Sequence, residues 1–152
     1  VIEVVYATQE HIDALKGRLR PADEAECMSL GYTGSQALQE SFDASTICVV
    51  GMHRKVPVYA GGVSPLGSLL GNDGVAWCLT TPEVFNLARS FMRTTRAVIH
   101  KMFLPRYKNL YNVVDARYNA ALKWLCWLGF TIEAAQPLGV GGEMFHPISL
   151  RS

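Results

Sequence analysis

Residues 110–130, LYNVVDARYNAALKWLCWLGF, decide the architecture. Tyr111, Val113 and Val114 suit a pleated, half-buried surface, so residues 110–116 predict a strand. Ala121, Trp124, Leu125 and Leu128 recur at helical spacing and predict a helix over Asn119–Leu128. Gly129 stands where a helix end wants a left-handed residue. Phe130 opens a further strand, with Ile132 on alternation. Upstream lie a strand at 75–80 and a long helical run at 82–104. Strand, crossover helix, strand makes two parallel neighbours with a right-handed connection.

Working outward, residues 1–6 read as an apolar opening strand. Thr8 can cap a helix carrying Ile12, Leu15 and Leu19. Pro21 and Asp23 restart a helix that reaches Leu30 and closes on Gly31. Ser35 starts a third helix through Ala37, Leu38 and Phe42. Residues 46–52, TICVVGM, form a β-branched strand, and 56–63 return as the second arm of a hairpin. Gly61-Gly62 predicts a bulge or a close approach of another backbone. Residues 64–74 form a loop; no Lys-Ser/Thr follows Gly67 and Gly71, so a plain turn is favoured over a phosphate loop. Residues 137–142 make a hairpin tip. Residues 144–150 make the last strand, expected at a sheet edge because Pro147 cannot donate. The sum is an α/β fold on a mixed sheet.

The 152 residues are expected to form one domain, 49% hydrophobic and 18% charged. A net charge of +1 gives no global field for nucleic acid or a membrane surface. No apolar run reaches the ~18 residues of a membrane span and no basic-then-apolar leader opens the chain, so a soluble, unsecreted protein is expected. Cys27, Cys48, Cys78 and Cys126 lack metal-ligand spacing and predict reduced, buried thiols. His11, His53, His100 and His146 form no ligand pair, so no metal site is expected.

The element order, with NAALKWLCWLGF closing the helix after the fifth strand, resembles the GCN5-related N-acetyltransferase (GNAT) superfamily. Leu128-Gly129-Phe130 matches the Leu-Gly-Phe that ends that helix in the family. The resemblance implies a mixed, mostly antiparallel sheet with helices on both faces. Its central fourth and fifth strands are parallel and splay apart to admit acyl-CoA. It also implies an Arg/Gln-x-x-Gly-x-Gly/Ala turn after the fourth strand, whose backbone N–H groups hold the pyrophosphate. This chain has Thr81-Pro82-Glu83-Val84-Phe85-Asn86-Leu87 there, without glycine. Pro82 has no N–H, and Glu83 would repel a phosphate. Leu125 stands where the family places its general-acid tyrosine, and the fourth strand has no carboxylate to act as base. No catalytic residue is therefore assigned.

A narrower likeness joins Trp77-Cys78-Leu79-Thr80-Thr81, the long arginine-bearing helix, Arg106-Tyr107 and Leu110-Tyr111-Asn112. That pattern resembles small GNAT-like proteins of short-tailed bacteriophages, including internal virion proteins. It implies a structural or assembly protein, degenerate in catalysis, that contacts other virion proteins or itself. Its place would be the virion, or the host cytoplasm during assembly. The alternative is an active N-acetyltransferase using acetyl-CoA, in which an amine attacks the thioester, the fourth-strand backbone polarises the carbonyl and a tyrosine protonates the thiolate. A binder of CoA or nucleic acid without chemistry ranks below both.

Candidate interaction residues follow from two helices. Arg89, Arg93, Arg96 and His100 form a basic stripe opposite Val84, Leu87, Phe91 and Val98. A solvated face with weak surface pairs is the plainest reading; an acidic protein partner comes next, ahead of CoA phosphates or DNA. Thr94-Thr95 can break the run and cap a second helix at Arg96, which would make Arg93, Thr94, Thr95 and Arg96 candidates for CoA phosphates. The helix 119–128 is apolar nearly all round, which predicts cover on both sides, from the N-terminal helices, the last hairpin or another chain. Leu122 and Trp127 are the interface candidates on its outer side. His146 with Glu143 can form a base pair for an amine, or serve the strand edge. Tyr111, Asp115 and Tyr118 lie along or just past the fifth strand, where Asp115 can meet a ligand or cap the next helix.

Overall fold

The computed structural model describes residues 1–152. Its elements are β1 (Glu3–Tyr6), α1 (Gln9–Leu15), α2 (Pro21–Ser29), α3 (Gly34–Ala44), β2 (Ile47–His53), β3 (Val56–Pro65) and β4 (Asp73–Thr80). A 3-10 turn (Pro82–Leu87) leads into α4 (Ala88–Val98), a π turn (Ile99–Phe103) and a last turn, α5 (Leu104–Arg106). Then come β5 (Asn109–Asp115), α6 (Asn119–Leu128), β6 (Thr131–Ile132) and β7 (Phe145–Arg151). One sheet runs β1-β2-β3-β4-β5-β7-β6. Only β4 and β5 are parallel.

Successive strand residues point to opposite faces, and Val49 and Val50 show the consequence. Val49 packs with Val98, Phe103, Leu125 and Leu128 under α4 and α6. Val50 packs with Ile12, Leu15 and Leu38 under α1 and α3. Helices therefore cover both faces.

The helix ends follow local chemistry. Thr8 and Thr33 accept from the backbone N–H of His11 and Gln36, whose side chains bond back to the capping residues. Gly129 is left-handed at φ 102°. The expected α1 stops at Leu15; Leu19 is buried in the turn that follows. The β2–β3 turn places Arg54 and Lys55 at φ 50° and 65°, the tight hairpin geometry that non-glycine residues adopt least readily.

Several expectations are corrected. The bulge falls at Gly51/Met52, while Gly61 and Gly62 stay in register with Val49 and Cys48. Close approach is the reason for Gly62: a Cβ there would lie 2.7 Å from Ser45 Oγ and Trp77 Nε1 and 2.9 Å from the Ile47 carbonyl. β7 is not an edge but lies between β5 and β6. The Pro147 carbonyl accepts from Glu133 N–H, so its nitrogen also faces the β6 side, just past the end of that two-residue strand. Cys126 is exposed on α6, against the expected burial of all thiols; burial pushes the Cys27 and Cys48 thiols up to about 12.

Gly62→Ala should destabilise the fold by about 1–3 kcal/mol, the range for overpacking a close contact. Urea denaturation measures it; an unchanged midpoint would show that the β2–β3–β4 contact gives way freely.

Candidate functional site

The parallel ladder is short. β4 and β5 pair only at Asp73–Asn109, Gly74–Leu110 and Val75–Tyr111. Beyond that point the strands separate, and the Asn112 side-chain amide donates to the Ala76 carbonyl across the opening. A cavity of about 240 Å³ fills the wedge and continues beneath α4 and α6. Tyr59, Phe91 and Trp124 form much of its wall, with successive ring centroids 5.2 Å apart.

Splayed strands leave inward-facing peptide groups without partners, and α2 supplies them. Thr80 N–H donates to Asp23 Oδ2 at 2.8 Å, and the Thr80 hydroxyl donates to the same oxygen. The Thr80 carbonyl accepts from Arg20 N–H at 2.9 Å. On the other strand, Asp115 N–H donates to Glu26 Oε2 at 2.9 Å. The Asp23–Glu26 spacing puts both carboxylates on the side of α2 that meets the wedge. Burial raises the Asp23 carboxyl against the opposing bonds from Thr80. Burial also pushes the Glu26 carboxyl up to about 7, with only the Asp115 N–H opposing it. Arg20 lies 3.9 Å from Asp23 Oδ2, with its guanidinium over the rings of Phe85 and Tyr118 at 4.6 and 5.1 Å. Arg20 Nε and the Tyr118 hydroxyl are buried without a hydrogen-bond partner. Arg20, Asp23, Glu26 and Tyr118 thus gather at one polar end of an otherwise apolar cavity.

The turn after β4 is closed in its own way. Thr81 is fully buried and its hydroxyl donates to the Val58 carbonyl at 2.9 Å. Val84 N–H bonds back to the Thr81 carbonyl. The Glu83 carboxyl is held below its ordinary range by the Thr81 hydroxyl beside it, its own N–H and Arg18, whose Nη2 lies 3.2 Å away. The turn therefore offers a proline without an N–H and a carboxylate paired with Arg18, not a run of bare N–H groups. These residues do not fit that part of a CoA cofactor.

The sequence candidates separate. Thr94 and Thr95 lie inside α4 and donate to the Phe91 carbonyl, so no helix starts at Arg96 and the expected phosphate-binding N-terminus does not form. Thr95 faces the cavity and takes the Trp124 indole N–H at 3.2 Å, whereas Arg93 and Arg96 are exposed on the far side. Arg89, Arg93 and Arg96 instead share a surface groove with His100, Lys101 and Trp127. Trp127 is 45% exposed and Leu122 is half-buried, so neither the N-terminal helices nor the last hairpin supplies the expected outer cover of α6. Asp115 turns away from the wedge and pairs with Arg117 at 2.6 Å, which holds its carboxyl below the usual range; it does not cap α6. His146 bonds the Glu133 carbonyl and Glu143 the Gly141 N–H, both within the last hairpin.

Sequence reasoning missed Arg20, Asp23 and Glu26. The available signal was the pair of carboxylates at 23 and 26 beside Cys27 on a helix face that must be buried.

No protein-family model matches this chain, and no curated protein matches it by sequence. Solved structures do. A GNAT-family acetyltransferase from Streptococcus pneumoniae matches with a TM-score of 0.64 at 12% identity, covering 100% of both chains. The ribosomal-protein-S18-alanine N-acetyltransferase of Escherichia coli matches at 0.67 and 10%, covering 99% of this chain and 94% of its own. The protein yncA of Salmonella typhimurium, solved with its cofactor acetyl-CoA, matches at 0.66 and 12%, with the same coverages. The mixed sheet, its single splayed parallel pair and these matches together give the chain the GNAT fold.

Proposed function

We propose that this domain is a catalytically degenerate GNAT-fold protein, a structural or assembly component of a tailed bacteriophage particle working through protein contacts. One observation supports the loss of catalysis: the turn after β4 has no glycine, and the chain's own carboxylates stand in that turn and on the last N–H of the strand before it. Glu83 sits in the turn after β4, and Asp23 holds the last wedge-facing N–H of β4. The phage assignment is supported by the pattern from Trp77 to Asn112, and the reading as a protein-contact domain by the exposed Trp127.

The second reading, an acetyl-CoA-dependent N-acetyltransferase, is favoured by one feature. Burial pushes the Glu26 carboxyl up to about 7, the Tyr118 hydroxyl has no hydrogen-bond partner, and both line one cavity. In that reading Glu26 accepts the proton of an amine and Tyr118 donates one.

Calorimetric titration with acetyl-CoA separates the two. A hydrogen bond to a charged oxygen is worth ~1.5–3 kcal/mol. Losing two such bonds weakens binding roughly a hundredfold or more. The expected outcome is no saturable heat at micromolar ligand; micromolar affinity would establish the enzyme reading.

Glu26 gives a pH test that holds under either reading. Its folded pKa of about 7 exceeds the ordinary carboxyl value of 4.5. The folded state therefore binds the extra proton between those values, and the stability it confers is lost as pH rises through 7. Glu26→Gln keeps an acceptor for Asp115 N–H and removes the titration. It should stabilise the protein at pH 8 by on the order of 2 kcal/mol and flatten the stability profile between pH 5 and 8. A parallel profile would place the carboxyl in contact with solvent. Loss of measurable acetyl transfer in the same variant would support the enzyme.

A further inference from the structure

The net charge of +1 conceals a separation of charge. Between α4 and α6 runs a groove of about 660 Å³ whose charged lining is Arg89, Arg93, Arg96 and Lys101, with His100 beside them. No carboxylate lines it. None of these cations takes part in an ion pair, since the chain's pairs are Lys16–Asp13, Arg18–Glu83, Arg20–Asp23 and Arg117–Asp115. Arg96 lies over the Trp127 ring at 5.3 Å, and the indole is still 45% exposed.

The opposite face of the sheet has the reverse character. α1 and α3 lie side by side, joined by Gln9 and Gln39 amides bonded both ways at 2.7 and 3.0 Å. The same amides donate to Asp13 and Asp43, each at 2.9 Å, and so orient both carboxylates. Glu10, Asp13, Glu40 and Asp43 are all exposed there, answered only by Lys16. On the acidic face the Gln9 and Gln39 amides already hold Asp13 and Asp43 in place, which limits the order lost there on binding.

We infer that the basic α4–α6 groove receives the acidic α1–α3 face of a second copy of this chain. The charges are opposite in sign, and the complementary set lies on this same molecule. Because the two patches lie on opposite faces of one sheet, the contact is heterologous: it propagates head to tail into a ring or an open array. Trp127 supplies the aromatic anchor that the charges alone lack. This inference rests on the reading of the domain as one that works through protein contacts. A chain that stays monomeric would sink the inference and leave that reading to its own test with acetyl-CoA.

Sedimentation velocity on the full chain tests it. At low salt the mass should rise with protein concentration, and high salt should return the monomer, since screening acts within ~10 Å at 0.1 M salt and ~3 Å at 1 M. Arg93→Glu spoils only the groove and Glu40→Lys only the acidic face; both sites are exposed and circular dichroism checks their folding. Each variant alone should associate about tenfold more weakly or not at all. Mixed, they should form a one-to-one pair and stop, because each variant keeps the face that the other has lost. A monomer at every concentration, a mixture that does not pair, or variants that associate like the parent would each overturn the proposal. So would tight binding of duplex DNA with a steep salt slope that Arg93→Glu abolishes, which would assign the groove to nucleic acid.

Discussion

The inward-facing peptide groups of Thr80 and Asp115 govern the middle of this molecule. Parting a parallel strand pair strands such groups in a buried wedge, and each one left unmet costs ~1–3 kcal/mol. Asp23 and Glu26 meet the two N–H groups, and Arg20 N–H meets the Thr80 carbonyl. That requirement fixes α2 across the mouth of the wedge. It also explains why carboxylates are buried in an apolar cavity, and why burial raises both of them. The same atoms that cap the strands are the only carboxylates in the cavity lining. A carboxylate that moved to serve a substrate would uncap a strand, so structural and catalytic roles compete for the same oxygens.

The fold was legible where short-range chemistry decides it. Gly129 after Leu128, Thr8 before α1 and the β-branched run at 47–50 each act through neighbours in sequence. Other features depend on tertiary contacts that one sequence does not display. The threonine pair at 94 and 95 has the look of a cap, but Phe91 offers its carbonyl one turn back and the helix continues. Pro147 looks like an edge residue; it is tolerated inside the sheet because its nitrogen faces a point just beyond the end of β6. The π turn at Ile99–Phe103 had no sequence signal, since its apolar residues also satisfy an ordinary helix.

The site was legible only as a set of absences. A turn lacking glycine, a leucine in place of a tyrosine and a fourth strand without a carboxylate could be read directly from residues 75–130. What lines the polar end of the wedge comes from the other end of the chain: Arg20, Asp23 and Glu26 reach it from 54 or more residues upstream of β4's last residue. Nothing local in Pro21–Ser29 distinguishes a carboxylate that caps a distant strand from one that faces water. The i,i+3 spacing marks a face, and only the packing shows what that face meets.

The glycine-free turn after β4 and the surplus basic residues belong to one helical run. The 3-10 turn that replaces the glycine turn carries the chain to Ala88 before α4 begins. From there the helical period divides the run. Phe91, Thr95 and Val98 fall on the cavity side, where Thr95 meets Trp124. Arg89, Arg93 and Arg96 fall on the outer side. These arginines do not reach the wedge, because the body of α4 separates them from it. Their charge is therefore left to act on whatever approaches the outer face. Arg96 over Trp127 ties that face to α6, so both helices present it as one surface. The domain turns its buried carboxylates onto its own strand ends and keeps its strongest unanswered charge on the outer surface of α4.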